Sequence, residues 1–121
     1  MDHGKCIWYF PDGEAPQPDS GKLKAHESVI LLNPNQSPAH VRMTLYFADA
    51  DPVENIVITV APKRVKCIRM DDPAQLNGER LHIGRQYAIG LASDVPIIAQ
   101  YGRLDTTQPN MAFYTTPGYS Q

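Results

Sequence analysis

Proline is the residue that most limits what this chain can fold into. Eleven of its 121 residues are proline, roughly twice the usual share. Each removes a backbone donor and fixes φ, so proline breaks helices and is tolerated in sheets only at edges, ends and bulges. A chain punctuated this often is expected to form short strands joined by many turns. The hydrophobic spacing agrees. Within residues 40–47, Val41, Met43, Leu45 and Phe47 share one face, while His40, Arg42, Thr44 and Tyr46 share the other. That period of two is the mark of a half-buried strand. No segment has a convincing helical period.

Strands are expected at residues 5–10, 27–32, 40–47, 55–60, 64–70, 86–91, 96–104 and 113–116. Turn clusters divide them: Asn33-Pro34-Asn35, residues 49–52, Pro62, Asp71-Asp72-Pro73, Ser93-Asp94 and Pro117-Gly118. A short helical turn fits at 73–76 or at 106–111. About eight short strands with such frequent turns predict an all-β fold, an antiparallel β-sandwich. The length suits a single domain over 1–121. Residues 11–24 read as a long loop, and 118–121 as a flexible tail.

Composition excludes several functions. Apolar residues make up 42% and charged residues 20%, which supports a packed core rather than disorder. A net charge of -2 lacks the basic footprint of nucleic-acid binding. No apolar run approaches membrane-spanning length, and the first residues lead only into the short apolar stretch 6–10, which is no signal peptide. A cytoplasmic protein without membrane insertion is expected. Cys6 and Cys67 read as free thiols. His3, His26, His40 and His82 are scattered without metal-ligand spacing, so no metal and no cofactor are expected. Neither a nucleophile elbow nor a Gly-rich phosphate loop occurs, so the chain is not expected to be an enzyme.

Several segments, in order and spacing, resemble the sensory-rhodopsin transducer family. They are His26-Glu27-Ser28-Val29-Ile30-Leu31-Leu32-Asn33, then Ala39-His40-Val41 through Tyr46-Phe47, and Val60-Ala61-Pro62-Lys63-Arg64. Arg69 with Asp71-Asp72-Pro73, the run Ser93-Asp94-Val95-Pro96-Ile97-Ile98-Ala99-Gln100 and Arg103-Leu104-Asp105-Thr106-Thr107-Gln108 follow, and Trp8 also fits. The similarity spans residues 6–117. The resemblance implies a small β-sandwich that assembles as a homo-tetramer. The family's namesake role is downstream of a membrane photosensor, but nothing in this chain identifies such a partner, so light signalling is not carried over. Relatives without one imply binding of small molecules such as sugars.

Candidate binding residues are the polar groups that interrupt apolar strands. Tyr101, Arg103 and Asp105 share a face by alternation, and together they offer the donors and acceptors a polyhydroxylated ligand needs. A structural ion pair at a strand end is the plainer alternative. Gln100 falls on the opposite face unless Gly102 marks a bulge. His26 and Glu27 stand at a strand entrance, suited to a pocket rim or to solvent. On residues 64–70 neither face is purely apolar, so one of Arg64, Lys66 and Arg69 is expected near the core, needing a ligand or a carboxylate such as Glu27 or Asp105. A charged edge strand protected by these cations is the alternative. Trp8 suits stacking on a sugar ring, though a buried indole is the favoured alternative. The expected function is a small-molecule sensor or transducer module, with Trp8, His26, Glu27, Arg64, Arg69, Gln100, Arg103 and Asp105 as its site. The alternatives are a ligand-free interaction module that binds a membrane sensor, and a small sugar-active enzyme using Glu27 and Asp105 as paired carboxylates.

Overall fold

A computed structural model describes residues 3–17, 24–106 and 111–121. Among them the chain is all-β. In order come β1 (Lys5–Glu14), β2 (His26–Asn33), β3 (Ala39–Tyr46), β4 (Val53–Val60), β5 (Arg64–Arg69), a single 3-10 turn (Pro73–Leu76), β6 (Gln86–Asp105), β7 (Ala112–Pro117) and β8 (Tyr119–Ser120). All pairings are antiparallel. One layer runs β4-β3-β6-β1-β8, and β5-β2-β6-β7 forms the other. The expected antiparallel sandwich is the fold, and its sheet is not closed.

The two layers share β6. Residues 88–93 of this 20-residue strand pair with β3, and residues 98–104 pair with β2. Ser93-Asp94 was expected to be a turn between two strands, and the strand runs through it instead. The Asp94 carboxylate accepts from the His40 backbone N–H at 2.8 Å and meets the His40 ring at 2.8 Å, which ties β6 to β3. Pro96 falls where β6 changes neighbours, so its missing N–H interrupts no ladder. The 3-10 turn falls at 73–76 as expected, with Asp72 capping it through the Ala74 N–H. The alternative turn at 106–111 lies largely outside the described residues.

Alternation builds the core. Val41, Met43 and Leu45 of β3 pack inward against Ile56, Ile58 and Val60 of β4, Ile89 and Leu91 of β6, and Phe10 of β1. The long loop expected from residue 11 starts later. A register shift between Phe10 and Gly13 absorbs Pro11, and β1 continues to Glu14. A Cβ at Gly13 would lie 2.8 Å from the Tyr87 ring, so only glycine lets that ring lie flat on β1. Residues 18–23 of the expected loop lie outside the described residues. The expected flexible tail is also paired. Tyr119 and Ser120 lie beside Tyr9 and Trp8, and Ile7 and Gln121 exchange backbone hydrogen bonds.

On β5 no cation reaches the core. Ile68 and then Met70 are buried, while Arg64 and Lys66 are exposed near the sandwich edge. Lys66 donates to the Thr59 carbonyl at 3.0 Å. Arg69, on the outward parity, grips Asp71 with two bonds of 2.9 and 2.8 Å. Neither Glu27 nor Asp105 is therefore the partner of these cations that the sequence suggested.

Candidate functional site

The inward positions of β2 are Glu27, Val29, Leu31 and Asn33, so alternation drives a carboxylate into the sandwich at its first inward position. Glu27 is 1% exposed. An unpaired carboxylate there would cost several kcal/mol, and four donors meet it. The Glu14 N–H reaches Oε2 at 3.0 Å, the Tyr87 hydroxyl reaches Oε1 at 2.9 Å, and the Tyr101 hydroxyl also donates to Oε2. Arg103 Nη1 lies 3.4 Å from Oε2 and donates to the Glu14 carbonyl at 2.8 Å. Register explains the meeting: Glu27 is opposite Arg103 on β6, and Val29 is opposite Tyr101.

The environment sets the protonation of this cluster. Burial, then the Glu27 charge and its hydrogen bond, push the Tyr87 hydroxyl far above its ordinary range. Burial and the same carboxylate do the same to Tyr101. For Arg103, burial opposes charging, but the Glu27 carboxylate and the tyrosine hydroxyls outweigh it and raise its pKa. At neutral pH both tyrosines are donors and the guanidinium is charged. Such groups anchor a carboxylate; neither phenol is poised as a base or nucleophile.

Glu27 also lines a cleft of about 270 Å³. Its walls are Ala15, Pro16, Ala25, Met70, Pro73, Leu81 and Ile83, and its polar lining is Asp71, Glu79, Arg80 and His82. Burial raises the Asp71 carboxyl, but the Arg69 hydrogen bonds and charge overcome this and hold it below the usual carboxylate value. Asp71 therefore presents a fixed negative charge to the cleft. Apolar walls with a few polar groups of both signs suit a small polar ligand.

Of the eight residues expected in a site, the fold brings together Glu27 and Arg103. Asp105 stands two residues beyond Arg103, at the end of β6. His26 is half-buried on the outward parity, its Nδ1 2.8 Å from the Lys24 carbonyl. Arg69 shares that parity. Arg64 lies at the far end of β2, opposite Asn33, and bonds the Lys63 carbonyl. Gly102 makes no bulge, because pairing is regular on both sides of it, so Gln100 stays exposed on the other face. Trp8 is a core residue, 7% exposed, its indole N–H donating to the Lys5 and Ile97 carbonyls. It offers no stacking platform. Tyr87 was missed. A tyrosine within an apolar strand needs a partner for its hydroxyl, and that was the available signal.

The sequence profile of the Anabaena sensory rhodopsin transducer family matches residues 3–120. The chain belongs to that family. Its fold is similar to a solved Thermotoga maritima protein, 1070, with a TM-score of 0.86 and 30% identity over 98% of this chain and 96% of that one. It is also similar to the solved Anabaena sensory rhodopsin transducer, with a TM-score of 0.73 and 30% identity over 84% of this chain and 99% of that one. No curated protein matches it. The role named for the family is transduction, a signalling role rather than a catalytic one. Among the described residues no helix is long and apolar enough to cross a membrane, and no group of three His, Cys, Asp or Glu side chains could hold a metal ion.

Proposed function

We propose that this chain is a signal-transducer module whose input is a small polar molecule, a sugar or related metabolite, bound in the cleft beside Glu27. The observation that carries this reading is the cleft itself. Its apolar walls converge on Asp71, Glu79, Arg80 and His82, and one side is backed by the locked Glu27–Arg103 cluster. Because β2 carries Glu27 inward and His26 outward, a ligand that moved this strand end would alter the outer surface one residue away. The role is binding and not catalysis.

A second feature supports action through a homo-oligomer, a tetramer in this reading. The outer face of β5-β2-β6-β7 is almost uncharged. Val65, Leu32 and Ile98 form one cross-strand row, and Leu104 and Phe113 form part of another. Val65 is 66% and Phe113 69% exposed. An antiparallel sheet that faces water ordinarily carries polar residues there. The same face favours a second reading, in which the chain has no ligand and docks directly on a membrane sensor.

A thermal-shift screen against sugars, sugar acids and common metabolites, with Arg80→Gln alongside, separates the readings. A ligand at 100 times its Kd stabilises the fold by about 2.7 kcal/mol. A shift in the parent that weakens in the variant supports the binding module. No shift from any compound favours the ligand-free reading.

A further inference from the structure

The outer face of the other layer carries a second groove, separate from the cleft beside Glu27. It measures about 260 Å³ and crosses β1, β6, β3 and the start of β4, with Tyr9, Arg42, Thr44, Tyr46 and Glu54 among its lining residues. Its volume lies below the roughly 300 Å³ at which drug-sized pockets begin, which suits a very small ligand.

Three observations mark it as more than a dip in a sheet. The first is its floor. Gly90 pairs with Tyr9 on one side and Thr44 on the other. A Cβ on Gly90 would lie 3.0 Å from the Tyr46 ring and 3.2 Å from the Tyr9 ring. The absent side chain lets both rings close over one point, and each keeps about two-fifths of its surface open, 42% for Tyr9 and 40% for Tyr46. The second is a bulge. Pairing of β3 with β4 slips between Met43 and Leu45, and Asn55 adopts a φ of 63°. Consecutive strand residues point to opposite faces, yet Glu54 and Asn55 both line the groove. A left-handed non-glycine residue carries a local cost, and such strain gathers at binding sites. The third is charge. Arg42 and Glu54 face the same groove, and neither forms an ion pair among the described residues.

We propose that this groove binds a small zwitterion, a molecule carrying an ammonium group and a carboxylate. The ammonium sits against Glu54 and the tyrosine rings, whose faces attract cations. The carboxylate takes the guanidinium fork of Arg42, and Thr44 and Asn55 supply further polar contacts. A lone cation is opposed by Arg42 and a lone anion by Glu54. A neutral sugar would use the rings but leave both charges without a partner.

The test is an amide NMR titration of the full chain with glycine betaine as the probe. Choline and propionate serve as its two halves, and glucose as a neutral comparison. Betaine is expected to give saturable shifts at Tyr9, Tyr46 and Gly90, with choline and propionate weaker by about tenfold or more. Arg42→Gln and Glu54→Gln should each lose about tenfold, the loss of one charge-assisted bond. Both side chains are exposed, so the fold should survive, which unchanged shifts around Tyr87 would verify. Shifts that never saturate, half-ligands or glucose that match betaine, or variants that bind like the parent would each overturn the proposal.

Discussion

Replacing Glu27 by Gln tests the buried cluster with the smallest change of shape. The substitution removes the charge that four donors now meet and turns an amide N–H₂ toward at least one of them. Removing one partner of a buried ion pair costs about 3–5 kcal/mol. Arg103 keeps the Glu14 carbonyl, and its side chain is 20% exposed. Solvent therefore relieves part of its lost pairing, and the lower end, about 3 kcal/mol, applies. For a domain of this length each kcal/mol moves the melting temperature by about 4 °C, so the variant should melt about 12 °C lower. Urea unfolding should show a lower midpoint at unchanged slope. Tyr101→Phe alone should cost less, about 1–2 kcal/mol, because three donors still meet the carboxylate. The double variant should lose less than the sum of the two, since both remove the same bond. A Glu27→Gln loss below about 1 kcal/mol, the worth of one neutral hydrogen bond, would refute the claim that this cluster carries the charge.

Three further predictions concern Tyr87, the glycine beneath its ring and the outer apolar face. Tyr87 has a folded-state pKa raised above its unfolded value of 10.0, so its stabilisation is complete below pH 10 and is lost as pH rises further. The parent should lose stability above about pH 10 at up to about 1.4 kcal/mol per pH unit more than Tyr87→Phe does, read by urea unfolding across alkaline pH. Gly13→Ala sets a methyl against the Tyr87 ring and should destabilise by about 1–3 kcal/mol. An equal stability would show that the ring moves freely. Leu32→Asp, in the centre of the outer apolar row, should shift light scattering toward smaller species while circular dichroism stays unchanged. An unaltered assembly size would remove that face from the proposed interface.

Much of the fold was legible because period-two patterning survives wherever one strand face is buried. The alternation of Val41, Met43 and Leu45 placed β3 correctly, and the same parity put Tyr101 with Arg103. What misled were residues whose local meaning depends on distant partners. Ser93-Asp94 reads as a turn until His40 is seen to occupy Asp94. Pro11 reads as a strand end until a bulge absorbs it. Of the site, Glu27 and Arg103 were recoverable, since a carboxylate at an inward position must find a cation. Trp8 and Arg64 were drawn in by chemical type, which says nothing about which face or which end of a strand they occupy. The cleft lining at Glu79, Arg80 and His82 comes from an irregular segment with no periodicity, so nothing in the sequence placed it against β2.

The ligand site proposed for this chain is the cleft beside Glu27. An amide shift map of the protein with a panel of sugars and sugar acids tests it most directly. At least one compound is expected to give saturable shifts at Asp71, Arg80 and His82, spreading to Glu27 and His26. A panel that leaves those residues unmoved, or moves them only in proportion to added solute without saturation, would contradict it.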